Sequence, residues 1–276
     1  MKNFVSVIVT TKNEESVIES LLMSLKKQSY PKKEIIIVDN NSTDSTKKIS
    51  RKYTSKVFNF GPERSAQRNY GVSKAKGDFV LMLDADMSLT KNVLAECINQ
   101  VIVDQKIGAL IIPEKSFGVG FWAKCKAFER EFYEGEESIE AARFFKKKLF
   151  KKFDGYDLSI TGPEDWDLPL RMKKEGVKID RINSYILHNE GRLSFRKIIK
   201  KKFYYGNHAY QYFKKHPEKF LTHGNLLFRP VFLKKWKKII SHPILSLGML
   251  LMRMSEMFSA MLGIIKYLTL DRVTLK

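Results

Sequence analysis

Over the first 112 residues the apolar positions change period repeatedly, and the changes predict strand, helix, strand. Residues 4–10 are a continuous β-branched run, as in a strand covered on both faces. Across 14–28 the apolar residues fall at 17, 18, 21, 22 and 25, which is one stripe of a helix. Residues 35–38 predict a second buried strand, and Ser42 or Thr43 can cap a helix reaching Arg51. Residues 56–60 are a third strand candidate, and 63–73 read as helix stopped near Gly77. Residues 79–83 predict a fourth strand, Thr90 begins another helix, and 107–112 form a fifth strand ending at Pro113. This alternation implies βαβ units and an α/β fold with a mostly parallel sheet flanked by helices.

The pattern changes again near residue 191. Residues 230–240 place Phe232, Trp236, Ile239 and Ile240 at helical spacing with four lysines between, which predicts a basic amphipathic helix carrying a Trp. Residues 243–270 are strongly apolar, but Arg253 and Glu256 interrupt them, so no clean span of about 20 residues is expected. The expectation is a membrane-surface or re-entrant helical hairpin. The alternatives are packing on the soluble domain or a dimer interface.

Charge sharpens that division. The 276 residues hold 50 Lys+Arg against 30 Asp+Glu, a net of +20. Residues 1–190 hold 32 basic and 27 acidic residues, and residues 191–276 hold 18 and 3, so three quarters of the excess sits in the last third. A basic tail suits nucleic acid, an anionic membrane or solubility. With 43% hydrophobic residues and only 15 Gly and 8 Pro, the chain is neither disordered nor collagen-like. Cys97 and Cys125 alone exclude a disulfide scaffold and a four-thiolate zinc site, and read as reduced thiols of a cytosolic protein. The apolar run at 4–9 is followed by acids rather than a cleavage site, so no export is expected.

Candidate chemistry lies where ligands bind in such sheets, at the carboxyl ends of strands. The first strand ends in Thr10-Thr11-Lys12-Asn13-Glu14, the second in Asp39-Asn40-Asn41-Ser42, and the fourth in Asp84-Ala85-Asp86. Two carboxylates one residue apart suit a hard divalent cation, Mg²⁺ or Mn²⁺, whose shell is completed by water and phosphate. The plain alternative is a capped turn before the helix at Thr90. No Gly-rich phosphate loop is present, so phosphate charge must be met by metal and basic side chains. Arg64 and Arg68, four apart, share one helix face and suit a diphosphate; the plain alternative is a solvated face.

The runs V-I-V-T-T-K-N-E-E, V-D-N-N-S-T-D, R-S-A-Q-R-N-Y-G, L-D-A-D and G-P-E-D-W-D-L-P-L-R, in that order over residues 4–190, resemble glycosyltransferase family 2 with the GT-A fold. The resemblance implies that Thr10, Lys12, Glu14 and Asp39 hold the base and ribose of a nucleotide-sugar. Lys12 departs from the family's frequent aromatic residue there. It implies Asp84 facing the ribose or sugar, Asp86 on the metal, and Arg68 near the nucleotide. Glu164-Asp165 match the family's acidic pair, which makes Asp165 the expected general base and Glu164 its orienter or an acceptor ligand. His188 resembles a late metal-contacting histidine.

The implied organisation is a GT-A catalytic domain at 1–190, with a nucleotide half at about 1–112 and an acceptor half at about 113–190, followed by a basic and apolar helical region at 191–276. The implied function is an inverting, Mn²⁺- or Mg²⁺-dependent transfer from a nucleotide-sugar. The acceptor expected is a saccharide or a lipid-linked one such as a polyprenyl or dolichyl phosphate or a glycolipid, met peripherally at the cytoplasmic face of a membrane. Nucleic-acid binding accounts for the charge but not for carboxylates at strand ends, which repel phosphate without metal. A catalytically inactive interaction protein on the same fold is the other alternative. A sugar-nucleotide pyrophosphorylase would carry a Gly-rich phosphate loop.

Overall fold

A computed structural model describes residues 3–136, 139–224 and 229–274. Ten strands are present among them: β1 (Val5–Thr11), β2 (Lys33–Asp39), β3 (Val57–Asn59), β4 (Phe79–Asp84), β5 (Met87–Leu89), β6 (Ile107–Ile111), β7 (Glu114–Val119), β8 (Ala142–Lys146), β9 (Lys178–Arg181) and β10 (Ile186–Arg192). The α-helices are α1 (Ile18–Lys26), α2 (Thr46–Ser50), α3 (Arg64–Lys74), α4 (Val93–Val103), α5 (Phe121–Tyr133), α6 (Lys147–Lys152), α7 (Glu164–Lys174), α8 (Phe195–Lys215), α9 (Pro230–Lys234), α10 (Trp236–Ser241) and α11 (Pro243–Thr274).

The chain forms two compact units. The first comprises 1–114, 140–158 and 164–188, and the second 115–139, 159–163 and 189–276. The units interleave along the chain, with 115–139 and 159–163 belonging to the second.

The first unit is built on a seven-stranded sheet of order β3-β2-β1-β4-β8-β6-β9. β8 alone runs antiparallel to its neighbours, so the sheet is mostly parallel. Alternation along β1 feeds two cores: Val5, Val7 and Val9 pack with α1 and α4, while Ile8 packs with Val38, Val80 and Met82 on the other face. Burial on both faces is why these strands read as unbroken apolar runs. Phe144, Phe145 and Phe150 are buried, and Phe153 packs at the margin of the core. Within the first unit the start of β10 also pairs antiparallel with β5, Ile186 opposite Leu89 and His188 opposite Met87.

In the second unit α8 and α11 run side by side in the same direction. Ser259 Oγ donates to the Ile199 carbonyl at 2.8 Å, and Gln211 Nε2 donates to Tyr267 Oη at 2.6 Å. The expected hairpin within 243–270 does not form: α11 is one helix of 32 residues. No proline lies in its interior, since Pro243 occupies its first position, where a missing N–H costs nothing. Gly248 lets α11 approach α5, because a Cβ there would lie 2.5 Å from Cys125 Sγ. Pro243–Thr269 is long and apolar enough to cross a membrane by length and composition. Arg253 and Glu256, which made the sequence look interrupted, are buried on the inner face.

The single amphipathic helix expected at 230–240 is also corrected. It breaks at Lys235 into α9 and α10, and the Lys235 ammonium donates to the Phe132 and Glu134 carbonyls at the end of α5 at 2.8 and 3.2 Å. Phe232 packs against Phe132 and Tyr133, while Trp236 and Ile240 stay exposed. Of the tail read from the sequence, residues 225–228 and 275–276 lie outside the described residues.

Gly77 marks a position where the first unit tolerates no side chain. A Cβ there would lie 2.6 Å from the Phe4 carbonyl oxygen and 2.7 Å from the Ser6 nitrogen, both backbone. Gly77→Ala is expected to cost about 1–3 kcal/mol through forced backbone movement. Urea unfolding checks this as a lower midpoint at unchanged m-value.

Candidate active site

The register of the parallel strands gathers the sequence-predicted residues. Thr10 of β1 lies opposite Asp84 of β4, and Thr11 opposite Asp39 of β2. Thr10 Oγ1 donates to Asp84 Oδ1 at 2.9 Å. α3 is tied to the same strand ends by the buried Gln67, whose Nε2 donates to the carbonyls of Val38 at 2.7 Å and Thr11 at 3.2 Å. Two residues along α3, Asn69 exchanges hydrogen bonds with the Tyr156 backbone, its Nδ2 donating at 2.7 Å and its Oδ1 accepting at 3.0 Å.

Arg68 lies between these two clamps and is fully buried. Its Nη1 donates to Asp165 Oδ1 at 2.7 Å, and its Nη2 to Asp84 Oδ1 at 3.0 Å and Oδ2 at 3.3 Å. Glu164 Oε1 is 3.7 Å from Nη1, and the Tyr156 ring lies 5.3 Å from the guanidinium. Arg64, more exposed, lies 3.6 Å from both Asp84 and Glu164. One guanidinium therefore joins the first acid of Asp84-Ala85-Asp86 to the acidic pair at the start of α7.

The environment separates these carboxyls. Burial disfavours charge on Asp84, but Arg68, and then Arg64 and Arg143, overcome it and hold the group well below the ordinary carboxylate range. Glu164 is pushed up, first by burial and then by the Asp165 charge, against Arg64 and Arg68. At 1% exposure, Glu164 is not a solvated acid at a helix start.

A second chain of contacts runs to Asp86. His188 Nε2 is 3.3 Å from Asp86 Oδ2, and its Nδ1 is 3.2 Å from Glu114 Oε2. Arg143 Nε donates to Glu114 Oε1 at 2.5 Å. Burial lowers the imidazole, and the stronger pull of Asp86 and Glu114 carries it up to about 10.

The donor set fits a hard divalent cation. Asp86 Oδ1 is buried with no hydrogen-bond partner, and Asp86 and His188 converge with an oxygen and a nitrogen donor. Among the described residues no group of three or more His, Cys, Asp or Glu converges to hold a metal unaided. Two protein donors match a cation that takes the rest of its shell from water and diphosphate. Glu114 on the far nitrogen is the orienting carboxylate that metal-bound imidazoles commonly carry.

The remaining predicted residues lie at the ends of β1 and β2. Asp39 is fully buried and serves the turn after β2: Oδ1 accepts from the Ser42 N–H at 2.7 Å and Oδ2 from the Ser42 hydroxyl at 2.5 Å. Asn13 joins the two turns, its N–H donating to Ser42 Oγ at 2.7 Å and its Oδ1 accepting from the Thr43 N–H at 2.9 Å. The Glu14 N–H donates to Thr46 Oγ1 at 2.8 Å, and Lys12 is exposed just past β1.

Comparison with known proteins identifies the family. The profile of Glycosyl transferase family 2 matches residues 6–160, more than half of the chain. The chain belongs to glycosyltransferase family 2. It is 39% identical over 102 residues to the poly(ribitol-phosphate) β-N-acetylglucosaminyltransferase TarS of Staphylococcus aureus, covering 33% of this chain and 18% of TarS. It is 27% identical over 167 residues to the GalNAc(5)-diNAcBac-PP-undecaprenol β-1,3-glucosyltransferase of Campylobacter jejuni, covering 53% of this chain and 52% of that one. The match spans about a fifth to a half of these relatives. The mannosyltransferase PcManGT of Pyrobaculum calidifontis, solved with GDP-Man and Mn²⁺, shares the GT-A fold at a TM-score of 0.62 and 19% identity, over 95% of this chain and 86% of that one.

Glu114 and Arg143 are site residues that the sequence reading missed in this family 2 chain. Glu114 was accessible to the rule applied to the other strands, since it follows the end of β6 after Ile112 and Pro113. Arg143 carries no such signal. It lies between Ala142 and Phe144 in a strand whose central place in the sheet is set by non-local pairing.

Arg68→Met is expected to lower stability by about 3–5 kcal/mol, because it removes the buried cation that Asp84, Asp165 and the buried Glu164 share. Urea unfolding measures this. Asp84 is charged in the fold below its ordinary pKa, so its stabilisation is present above that value and lost as pH falls through the depressed one. Asp84→Asn is expected to lower the melting temperature at neutral pH and to flatten its decline in acid.

Proposed function

We propose that this chain is an inverting, divalent-cation-dependent glycosyltransferase that moves a sugar from a nucleoside diphosphate to a lipid-linked or saccharide acceptor, peripherally at the cytoplasmic face of a membrane. The observation that carries the reading is the buried Arg68 bridge between Asp84 and Asp165, beside the converging pair Asp86 and His188. PcManGT, solved with GDP-Man and Mn²⁺, and the C. jejuni enzyme, named for an undecaprenol-linked substrate, support the donor and acceptor classes.

Asp86 and His188 would hold Mn²⁺ or Mg²⁺, which supplies positive charge to the departing diphosphate. Asp165, at the first turn of α7, takes the proton of the acceptor hydroxyl as its oxygen bonds to the anomeric carbon. The bond from that carbon to the diphosphate oxygen breaks on the opposite face, its electron pair leaving with the diphosphate, so the configuration inverts. Arg68 grips Asp165 through Oδ1, which fixes the carboxylate and directs the proton to Oδ2. Glu164 orients this edge of the site with Arg64. Thr10 holds Asp84 toward the ribose or sugar, while Lys12, Glu14 and Asp39 shape the nucleoside end. An acceptor that is already an anionic phosphate needs the base less.

The basic region supports the membrane reading. Residues 191–276 carry 18 basic and 3 acidic residues. Near an anionic leaflet each basic residue contributes about 1 kcal/mol of attraction.

The test is thermal denaturation with UDP, GDP, dTDP and CMP, each with and without Mn²⁺. One nucleoside diphosphate is expected to raise the melting temperature only with metal. Asp86→Ala is expected to abolish that shift. Asp165→Asn is expected to keep it while lowering kcat by about 10²–10⁴-fold. A chain that no nucleotide stabilises under any metal would sink the reading.

A further inference from the structure

In the second unit the inner face of α11 buries Arg253 and Glu256 together with Met249 and Met252, while a row of its large apolar residues faces outward. Leu247, Leu251, Met254, Phe258, Met261 and Ile265 recur at alternating spacings of four and three and are each 48–64% exposed. With Ile244 and Leu268 at its ends this stripe spans 24 residue steps, about 36 Å of helix. It holds no charged side chain.

We infer that this outer face of α11 docks on an anionic lipid bilayer, with the helix axis lying along the membrane plane. The inference deepens the membrane reading above and rests on it. The helix does not span, although its length permits it. α8 runs beside it with Arg196, Lys197, Lys200, Lys201, Lys214 and Lys215 exposed, and a perpendicular α11 would carry these charges into hydrocarbon. Lying flat buries the whole stripe and leaves α8 outside the hydrocarbon.

A second copy of the chain fits this face less well. The spacing suits a two-helix seam, but Leu250 and Leu262 flank the stripe and are exposed, at the positions where such seams carry charges that choose a partner. The apolar face is wider than a two-helix seam and matches an interfacial helix. Two copies would also bring together two regions that each hold 18 basic against 3 acidic residues. That excess complements anionic headgroups instead. Trp236 and Ile240 of α10, with Lys237 exposed between them, add an amphipathic aromatic anchor of the kind found at bilayer interfaces.

The experiment is co-sedimentation of the full chain with vesicles of phosphatidylcholine alone and of phosphatidylcholine mixed with phosphatidylglycerol. The wild type is expected to bind the anionic vesicles, more weakly as salt rises. The double variant Leu251→Ser, Phe258→Ser is expected to lose at least about tenfold in apparent affinity, given the apolar surface removed from the contact. Its melting temperature and its nucleotide-dependent shift should match the wild type, since both positions are exposed. Unchanged binding by this variant overturns the docking face while the membrane reading stands. Failure of the wild type to bind either vesicle overturns both, and leaves the transfer reading to the nucleotide experiment. A wild-type dimer in solution that the variant converts to monomer, at unchanged vesicle binding, assigns the face to a second copy and overturns the proposal.

Discussion

One buried guanidinium organises the first unit. Arg68 has no exposure to solvent, and a buried cation is tolerated only where anions meet it with good geometry. It meets two, Asp84 from the end of β4 and Asp165 from the start of α7, at 3.0 and 2.7 Å. Those segments are 81 residues apart in sequence (165 − 84), so the pair of contacts fixes their spacing more tightly than chain connectivity does. Removing the guanidinium would leave charge stranded away from water, and its presence is why Asp84 stays ionised despite burial. The network also divides labour. Asp84 is committed to Arg68, while Asp86, two residues on, keeps a buried oxygen without a hydrogen-bond partner.

Most of the parallel sheet was legible because its strands are covered on both faces and so appear as unbroken apolar runs. The elements that escaped notice are of another kind. β7 alternates half-buried and exposed residues over Glu-Lys-Ser-Phe-Gly-Val, and β8 places Arg143 in the middle of an aromatic segment. Neither has a period that local sequence can reveal. β8 belongs between β4 and β6 only because long-range antiparallel pairing brings it there. The same reason hides the link from Arg143 through Glu114 to His188, whose members come from three strands.

The candidate site was legible to the extent that its groups follow strands. Carboxylates directly after an apolar run flagged Asp39, Asp84 and Asp86, and all three lie at the carboxyl edge of the first unit's sheet. Sequence does not say which of them face inward. Asp39 spends both oxygens on Ser42 and so supports a turn, while Asp84 spends both on Arg68. Equal sequence signals thus conceal different demands, and the difference appears only when each oxygen is followed to its donor.

The tail shows the converse, where a correct pattern had two solutions. An apolar helix with Arg253 and Glu256 near its middle fits a hairpin broken at those charges, or a straight helix with them turned inward. The second unit adopts the straight helix because partners await both charges. Arg253 donates to Glu129 and to the Tyr133 hydroxyl, and Glu256 lies 3.2 Å from the Lys126 ammonium and 3.8 Å from that of Lys202. Buried ion pairs of this sort add little net stability, because desolvation offsets most of their attraction. What they do supply is registry. Rotating α11 by half a turn about its axis would strand Arg253 and Glu256 away from Glu129 and Lys126, at a cost of several kcal/mol for each unpaired ion that remained buried. The charged network therefore selects which face of α11 is presented to solvent, and the face it presents is the apolar one.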